Sequence, residues 1–359
     1  MLSSGESSLS SPFTLCFRSV DAFVYCQIGL ESIVMKTITL SVNLSAVLIL
    51  TAVVVLAATP TKADTFGSGA NMFGIEFVTI GNPDNAADTT GTPNPAGKVP
   101  YNYRIGKFEI SEDMMNKANT LGSLGITHDN RGDAKPVTDV SWNEAARFVN
   151  WLNTSQGFTP AYKFAVQPGE GGYDRNANIQ LWQSGDAGYD PNNLYRNSLA
   201  TYFLPSVHEW YKAAFYDPNA NVYYRYPTGS DTLPTAVASG TAADTAVFAQ
   251  SNFTGPADIT LAGGLSPYGT IGQGGNVWEW EETAGDLMND SGSSFRGQRG
   301  DSWNGIPTSL SSSGRAVFNP VIDGSNVGFR VASVIPEPTT CGLALAATLF
   351  LAIGRRRPH

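Results

Sequence analysis

Thiols are missing from most of this 359-residue chain. Of its three cysteines, Cys16 and Cys26 lie near the start and Cys341 near the end, so residues 64–335 contain none. That absence excludes disulfide stapling, cysteine nucleophiles and thiolate-held metals from the body of the protein. Histidine is nearly as scarce: the body has only His128 and His208, too few for a three-histidine iron or zinc centre. Charge is thin too, at 15% of residues against roughly 25% in an average soluble protein. Basic charge is thinnest, with a net charge of −9 overall and 16 Lys+Arg against 27 Asp+Glu in residues 64–335. So acidic a body makes a poor tracker of phosphate, which argues against a nucleic-acid partner. Solubility outside a cell, or cation binding, suits it better.

What is present points to the fold. Gly 37 and Pro 21 together make about one residue in six, which predicts a loop-rich α+β domain and argues against a helical bundle. Eighteen Phe, 14 Tyr and 7 Trp are ample for a core, so wholesale disorder is excluded. About 272 residues, 64–335, remain for one folded domain.

The rest reads as targeting sequence. Met35-Lys36, the apolar run Ala46 to Ala58 and the small-residue pattern Thr61-Lys62-Ala63 predict a secretory signal peptide over 35–63. Residues 1–34 are then a mis-assigned or disordered N-terminal extension, with Met35 the initiator. At the other end, Pro336-Glu337-Pro338 precedes a mostly apolar stretch to Gly354 and then Arg355-Arg356-Arg357. That stretch is shorter than the ~20 residues of a comfortable membrane span, though the basic stop fits positive-inside topology. The arrangement in 336–359 resembles the bacterial PEP-CTERM sorting signal. The resemblance implies an exported protein held at the cell surface through its C-terminal membrane segment, with exosortase-type sorting machinery as a partner.

Within the body, residues 73–80 read as an opening strand and 101–110 as a second. Ser111 can cap a helix running to about Leu121. Ser141-Trp142-Asn143-Glu144 and Ser206-Val207-His208-Glu209 are capping boxes, each opening a short amphipathic helix. Beyond Pro227 only loops and short strands are expected, ending in an apolar strand over 327–332.

Most catalytic motifs fail on inspection. Gly300-Asp301-Ser302-Trp303 imitates a serine-hydrolase nucleophile block, but the only later histidine is His359. His208-Glu209 is half of a zinc motif, with Lys212 where the second histidine belongs. The Asp-x-Asn-x-Asn runs at 174–178 and 217–221 lack the glycine and distal glutamate of a calcium loop, which favours Asx-turns. Gly275-Asn276-Val277-Trp278-Glu279-Trp280 is more informative. Its glycines let carbonyls converge and Glu279 offers a hard carboxylate oxygen, as a calcium site requires; equally, it is a tight turn whose tryptophans anchor the core.

Four blocks in order resemble the formylglycine-generating, sulfatase-modifying-factor family. They are Pro136-Val137 with Val140 to Ala145, Phe203-Leu204-Pro205 with Glu209-Trp210, the 275–280 segment, and Arg299 to Trp303 with Gly328-Phe329-Arg330. The resemblance implies a C-type-lectin-like α+β fold, loop-rich with few short helices and strands. It also implies where chemistry should sit. The family's two copper-binding cysteines fall near Gly305 and Leu310 here, so copper is not expected, and Ser302 is left as a structural remnant. Calcium is expected at Gly275, Val277 and Glu279, with Gly272 replacing the usual Asn or Asp ligand, and at a second site using Asn252 and the Phe253 carbonyl. A histidine-rich iron site, which the sulfoxide-synthase branch needs, is lacking. The resulting expectation is a surface domain that binds a glycan or peptide, or serves envelope structure, without copper chemistry and with no catalytic residue assigned. Ser302, Trp303, Arg315 and Tyr268 are the expected contacts. The alternative is an enzyme that modifies a protein or metabolite by cysteine-independent chemistry.

Overall fold

The computed structural model of the protein describes residues 63–335. The expected N-terminal extension, the signal peptide apart from Ala63, and the sorting segment lie outside the described residues. Three α-helices, α1 (Glu112–Gly122), α2 (Trp142–Ser155) and α3 (Val207–Phe215), are surrounded by short strands and long irregular connections. Among the described residues no helix is long and apolar enough to cross a membrane.

The helices begin where the sequence places their caps. Ser141 Oγ accepts from Glu144 N at 3.2 Å while Glu144 Oε2 accepts from Ser141 N at 2.9 Å. Ser206 and Glu209 repeat the exchange at 3.3 and 2.7 Å. Each box satisfies two backbone donors that a helix start would otherwise leave orphaned. Helix α1 stops at Ser123, whose φ of 51° is left-handed.

Eight strands build two four-stranded sheets: β1 (Phe77–Ile80), β2 (Tyr103–Gly106), β3 (Tyr202–Phe203), β4 (Trp278–Ala284), β5 (Arg296–Arg299), β6 (Ala316–Phe318), β7 (Val327–Gly328) and β8 (Ala332–Val334). The first sheet has order β1-β2-β8-β3 and is antiparallel throughout. The second has order β6-β5-β4-β7, with β4 and β7 parallel. In the main core α2 packs beside the first sheet, with Phe148 meeting Phe329 of the crossover edge-on at 5.5 Å and Trp151 stacking on Phe73 of the strand Phe73–Ile75 at 5.8 Å.

Two expected strands prove to be divided. Residues 73–80 break at Glu76 into Phe73–Ile75 and β1. Residues 327–332 belong to two sheets: β7 joins the second, β8 the first, and Phe329 to Val331 carry the chain between them. An unbroken apolar run reads the same whether it stays in one sheet or crosses to another.

Candidate functional site

The seven-residue strand β4 carries three carboxylates, and all three are fully buried: Glu279, Glu281 and Glu282. Buried carboxylates persist only when paired and hydrogen-bonded, and each of these is met by arginine. Arg330 grips Glu279 with Nε on Oε2 at 2.6 Å and Nη2 on Oε1 at 2.5 Å, while Trp210 Nε1 donates to Oε2 at 2.7 Å. Arg299 and Arg315 share Glu281 at 2.6 and 2.9 Å. Arg196 bridges Glu282 at 2.7 Å and Glu209, the α3 capping residue, at 2.8 Å. Strand alternation sorts these hubs. Glu279 and Glu281 lie on the side of Trp210, whereas Trp280 and Glu282 share the side of Tyr162.

The electrostatics follow. Burial alone would lower the Arg330 pKa, but the Glu279 carboxylate outweighs it and the pKa stands above the ordinary guanidinium value. Burial likewise opposes charge on Glu209, yet Arg196 holds that carboxyl below its usual value. Both groups are therefore charged at neutral pH.

At 275–279, where calcium is expected, the one carboxylate is already engaged. Glu279 is the only charged member of the expected set, and both its oxygens are occupied by Arg330 and Trp210. A guanidinium already ties this carboxylate to the carbonyls of Gly106, Lys107 and Ile271, which is the bracing a calcium ion would supply. The second expected site lies at the surface. Asn252 lies on an exposed loop with its amide oxygen accepting from Asn304 Nδ2 at 2.8 Å, and Phe253 beside it is 100% exposed. Among the described residues no three His, Cys, Asp or Glu side chains converge to hold a metal ion.

The copper-cysteine positions are filled differently. A Cβ on Gly305 would stand 2.0–2.2 Å from the Asp301 carboxylate. That carboxylate cannot easily withdraw, because Oδ1 accepts from Ser302 N at 2.7 Å and Oδ2 from Ile306 N at 2.9 Å. Leu310 is buried in an apolar cluster with Tyr226, Ala246 and Phe248. Gly305→Ala should therefore cost roughly 1–3 kcal/mol through overpacking, read as a lower denaturation midpoint. In an Asp301→Ala background, itself destabilised by the loss of two acceptors, Gly305→Ala should cost less than it does in the parent if the clash is the cause.

The four expected contact residues do not form one exposed cleft. Ser302 is fully buried, its Oγ donating to Asn304 Oδ1 at 2.6 Å and accepting from Asn326 Nδ2 at 3.1 Å. Trp303 is 2% exposed and packs with Val247, Ala257 and Val277, beneath the Arg131 guanidinium at 5.0 Å. Arg315 is committed to Glu281 and to the carbonyls of Ala284 and Gly285. Tyr268 is half-buried beside Tyr216 and donates to Gly81 O at 3.1 Å. Instead, exposed apolar groups lie on two hydrogen-bonded loops, one of them carrying Ser302. Ala249 N donates to Gly305 O and Gln250 N to Trp303 O, joining loop 249–255 to loop 301–306. This paired surface presents Phe253 and Ile306, the latter 60% exposed.

Residues 77–335, well over half of the chain, match the model of the "Sulfatase-modifying factor enzyme 1-like domain" family. The chain belongs to the sulfatase-modifying-factor family. Among solved structures, "Treponema denticola variable protein 1" is similar at 19% identity and a TM-score of 0.50, covering 77% of this chain and 100% of its own. CarF is similar at 21% identity and 0.49, covering 73% and 99%. PvdO from Pseudomonas aeruginosa is similar at 13% and 0.47, covering 77% and 100%. No curated protein matches the sequence. The sulfatase-modifying-factor domain is thus a loop-rich α+β fold of the formylglycine-generating type, as the motif blocks imply. The blocks themselves now have a physical reading. The tryptophan-glutamate strand supplies the buried acids, and Arg299 and the terminal Arg330 are two of the cations that neutralise them. Glu281, Glu282 and Arg196 were not among the expected site residues. The signal available for them was the acid-rich run Trp278 to Glu282 in a chain otherwise poor in charge.

Proposed function

We propose that this sulfatase-modifying-factor domain is exported, is held at a bacterial cell surface by its C-terminal segment, and binds a glycan or peptide without forming formylglycine. One observation carries the reading. The two positions that would hold copper thiolates are Gly305, pressed against Asp301, and Leu310, sealed in the core, and no cysteine occurs anywhere in residues 64–335. The residues present do not fit copper. Soft thiolates are what select that ion, so no step is derived through it. Binding is assigned to the surface of loops 249–255 and 301–306, where an exposed aromatic and an aliphatic side chain stand over a rim of Asn252, Asn304 and Ser251. Aromatic anchors within a polar rim are usual at recognition surfaces.

Glycan and peptide arrays probed with the full chain in detergent test the reading. Phe253→Ala should weaken the captured ligand at least about tenfold. Its denaturation midpoint should not move, since exposed positions away from packing change stability by about 0.5 kcal/mol or less. Oxygen consumption accompanied by modification of a peptide would overturn the proposal. Deleting residues 336–359 should release the domain from the membrane fraction; retention after deletion would overturn the anchoring. The expected exosortase partner belongs to the same part of the proposal, because the sorting resemblance rests on those residues.

A further inference from the structure

A concave surface remote from the motif blocks lies where loop 190–200 meets strands β3 and β8. It encloses an open cavity of 330 Å³, within the roughly 300–1,000 Å³ of small-molecule pockets. The loop has no regular structure, yet its own side chains fix it. Asp190 Oδ1 accepts from Asn192 N at 2.9 Å, Asn193 Oδ1 from Tyr195 N at 3.2 Å and Asn197 Oδ1 from Leu199 N at 2.9 Å, three Asx-turns in succession. The loop is also tied to the interior. Asn193 Nδ2 donates to the buried Glu282 at 2.6 Å, and Arg196 reaches Glu282 and Glu209. A pocket fixed before its ligand arrives loses little entropy on binding.

The lining combines an accessible aromatic ring with polar atoms that the protein leaves unused. Tyr101 is 46% exposed, and its hydroxyl donates to Glu209 Oε1 at 2.8 Å. The ring is thereby held in place while the phenolic oxygen keeps an acceptor. Both hydrogen bonds to the half-buried Asp190 carboxylate fall on Oδ1, and among the described residues nothing bonds its Oδ2. Ser198 is exposed, and its Oγ likewise has no partner among them. Arg196 lines the pocket with its side chain 12% exposed, whereas Glu209 and Glu282 do not line it and are fully buried. The charges a ligand can reach are therefore Asp190 and Arg196, one of each sign. Arg196 already spends four hydrogen bonds on Glu209, Glu282 and the Leu204 carbonyl, so an anion would find little here. One open carboxylate beside a guanidinium is no better matched to a cation.

We propose that this pocket binds one neutral pyranose ring of a glycan, its C–H face on Tyr101 and its hydroxyls shared among Asp190 Oδ2, Ser198 Oγ and the Tyr101 oxygen. A pyranose has two aspects at once: a face of C–H groups suited to an aromatic ring and a rim of hydroxyls that each donate and accept. A carboxylate oxygen that only accepts and a serine hydroxyl that does both answer that rim. The glycan class is shared with the proposed function, but this pocket has no residue in common with the Phe253 surface, and each stands if the other fails.

The test is saturation-transfer NMR and titration calorimetry of the full chain in a polyoxyethylene detergent, which carries no sugar. The probes are methyl α-glucoside, methyl α-mannoside, methyl β-galactoside, sodium glucuronate, cyclohexanol and choline chloride. At least one methyl glycoside should bind. Glucuronate and choline should not, and cyclohexanol, which has the apolar face but a single hydroxyl, should bind at least about tenfold more weakly. Tyr101→Ala should weaken the glycoside at least about tenfold. Tyr101→Phe keeps the ring but frees it from Glu209, and should fall between Tyr101→Ala and the parent. Asp190→Asn retains the turn acceptor while removing the charge, and should weaken binding roughly tenfold. Ser198→Trp fills the mouth from an exposed position and should block binding without lowering the melting temperature; this variant decides the matter if Tyr101→Ala does not fold. Failure of all three glycosides to bind, equal binding of choline or cyclohexanol, or unchanged glycoside affinity in folded Asp190→Asn and Ser198→Trp proteins would overturn the assignment.

Discussion

Replacing Arg330 by methionine should destabilise the domain by about 3–5 kcal/mol, the usual cost of removing one partner from a buried ion pair. For a domain of this size that corresponds to a melting temperature lower by roughly ten degrees. Arg330 and Glu279 are both fully buried, so solvent does not screen the pair. The loss extends beyond one interaction. The guanidinium also donates to the carbonyls of Gly106, Lys107 and Ile271, and methionine would leave these carbonyls, as well as Glu279, short of donors. Circular dichroism during urea unfolding measures the effect. Arg330→Lys should recover little, because an ammonium cannot form the two-pronged contact with Glu279. Arg330→Met with Glu279→Leu should lose less than Arg330→Met alone, since the stranded charge is then absent. A single variant as stable as the parent would show that the pair does not hold the second sheet to the turn after β2.

Arg196→Met should have an effect of similar size but with a distinctive pH dependence. The parent side chain separates two interior carboxylates, Glu209 and Glu282, and lies over the Phe203 ring at 3.7 Å. Methionine preserves some packing but leaves two unpaired negative charges, costing about 3–5 kcal/mol at pH 7. In the parent, Glu209 has a folded-state pKa below the ordinary 4.5. Its contribution is present above that value and is lost as pH falls through the folded pKa. In the variant, burial without a cation raises the carboxyl pKa values, so stability is lost as pH rises. The difference between the two proteins should therefore be large at pH 7 and shrink steadily as pH falls toward about 4.5, closing further below it as the parent loses the Glu209 contribution. Denaturant midpoints measured from pH 4 to pH 8 would show convergence on the acid side; a constant difference would contradict the electrostatic account.

The sequence was most legible where signals were local. Ser141 with Glu144 and Ser206 with Glu209 lie three residues apart, and both boxes mark the helix starts. Strand β4 was hidden because glutamate is a weak strand former and its cations lie far along the chain. Glu279 finds Arg330 51 residues away, Glu281 finds Arg299 and Arg315 at 18 and 34, and Glu282 finds Arg196 at 86. A window a dozen residues wide contains none of these pairs. For the candidate site, motif order located the loop of Ser302 and Trp303 but gave no indication of its depth. Those side chains are interior, and Phe253, expected to contribute only a carbonyl, is the exposed one.

The order of acids and arginines along the chain has a consequence for biosynthesis. Glu279 and Glu281 are synthesised before any of Arg299, Arg315 and Arg330. Until those arginines emerge, sealing β4 into the interior would strand bare carboxylates away from water. The strand must therefore wait, and the last of its cations arrives only a few residues before the domain ends at 335. A nascent chain built this way resists premature closure and completes its second sheet late. On the proposed export route, passage unfolded through a translocation channel would gain time from that delay.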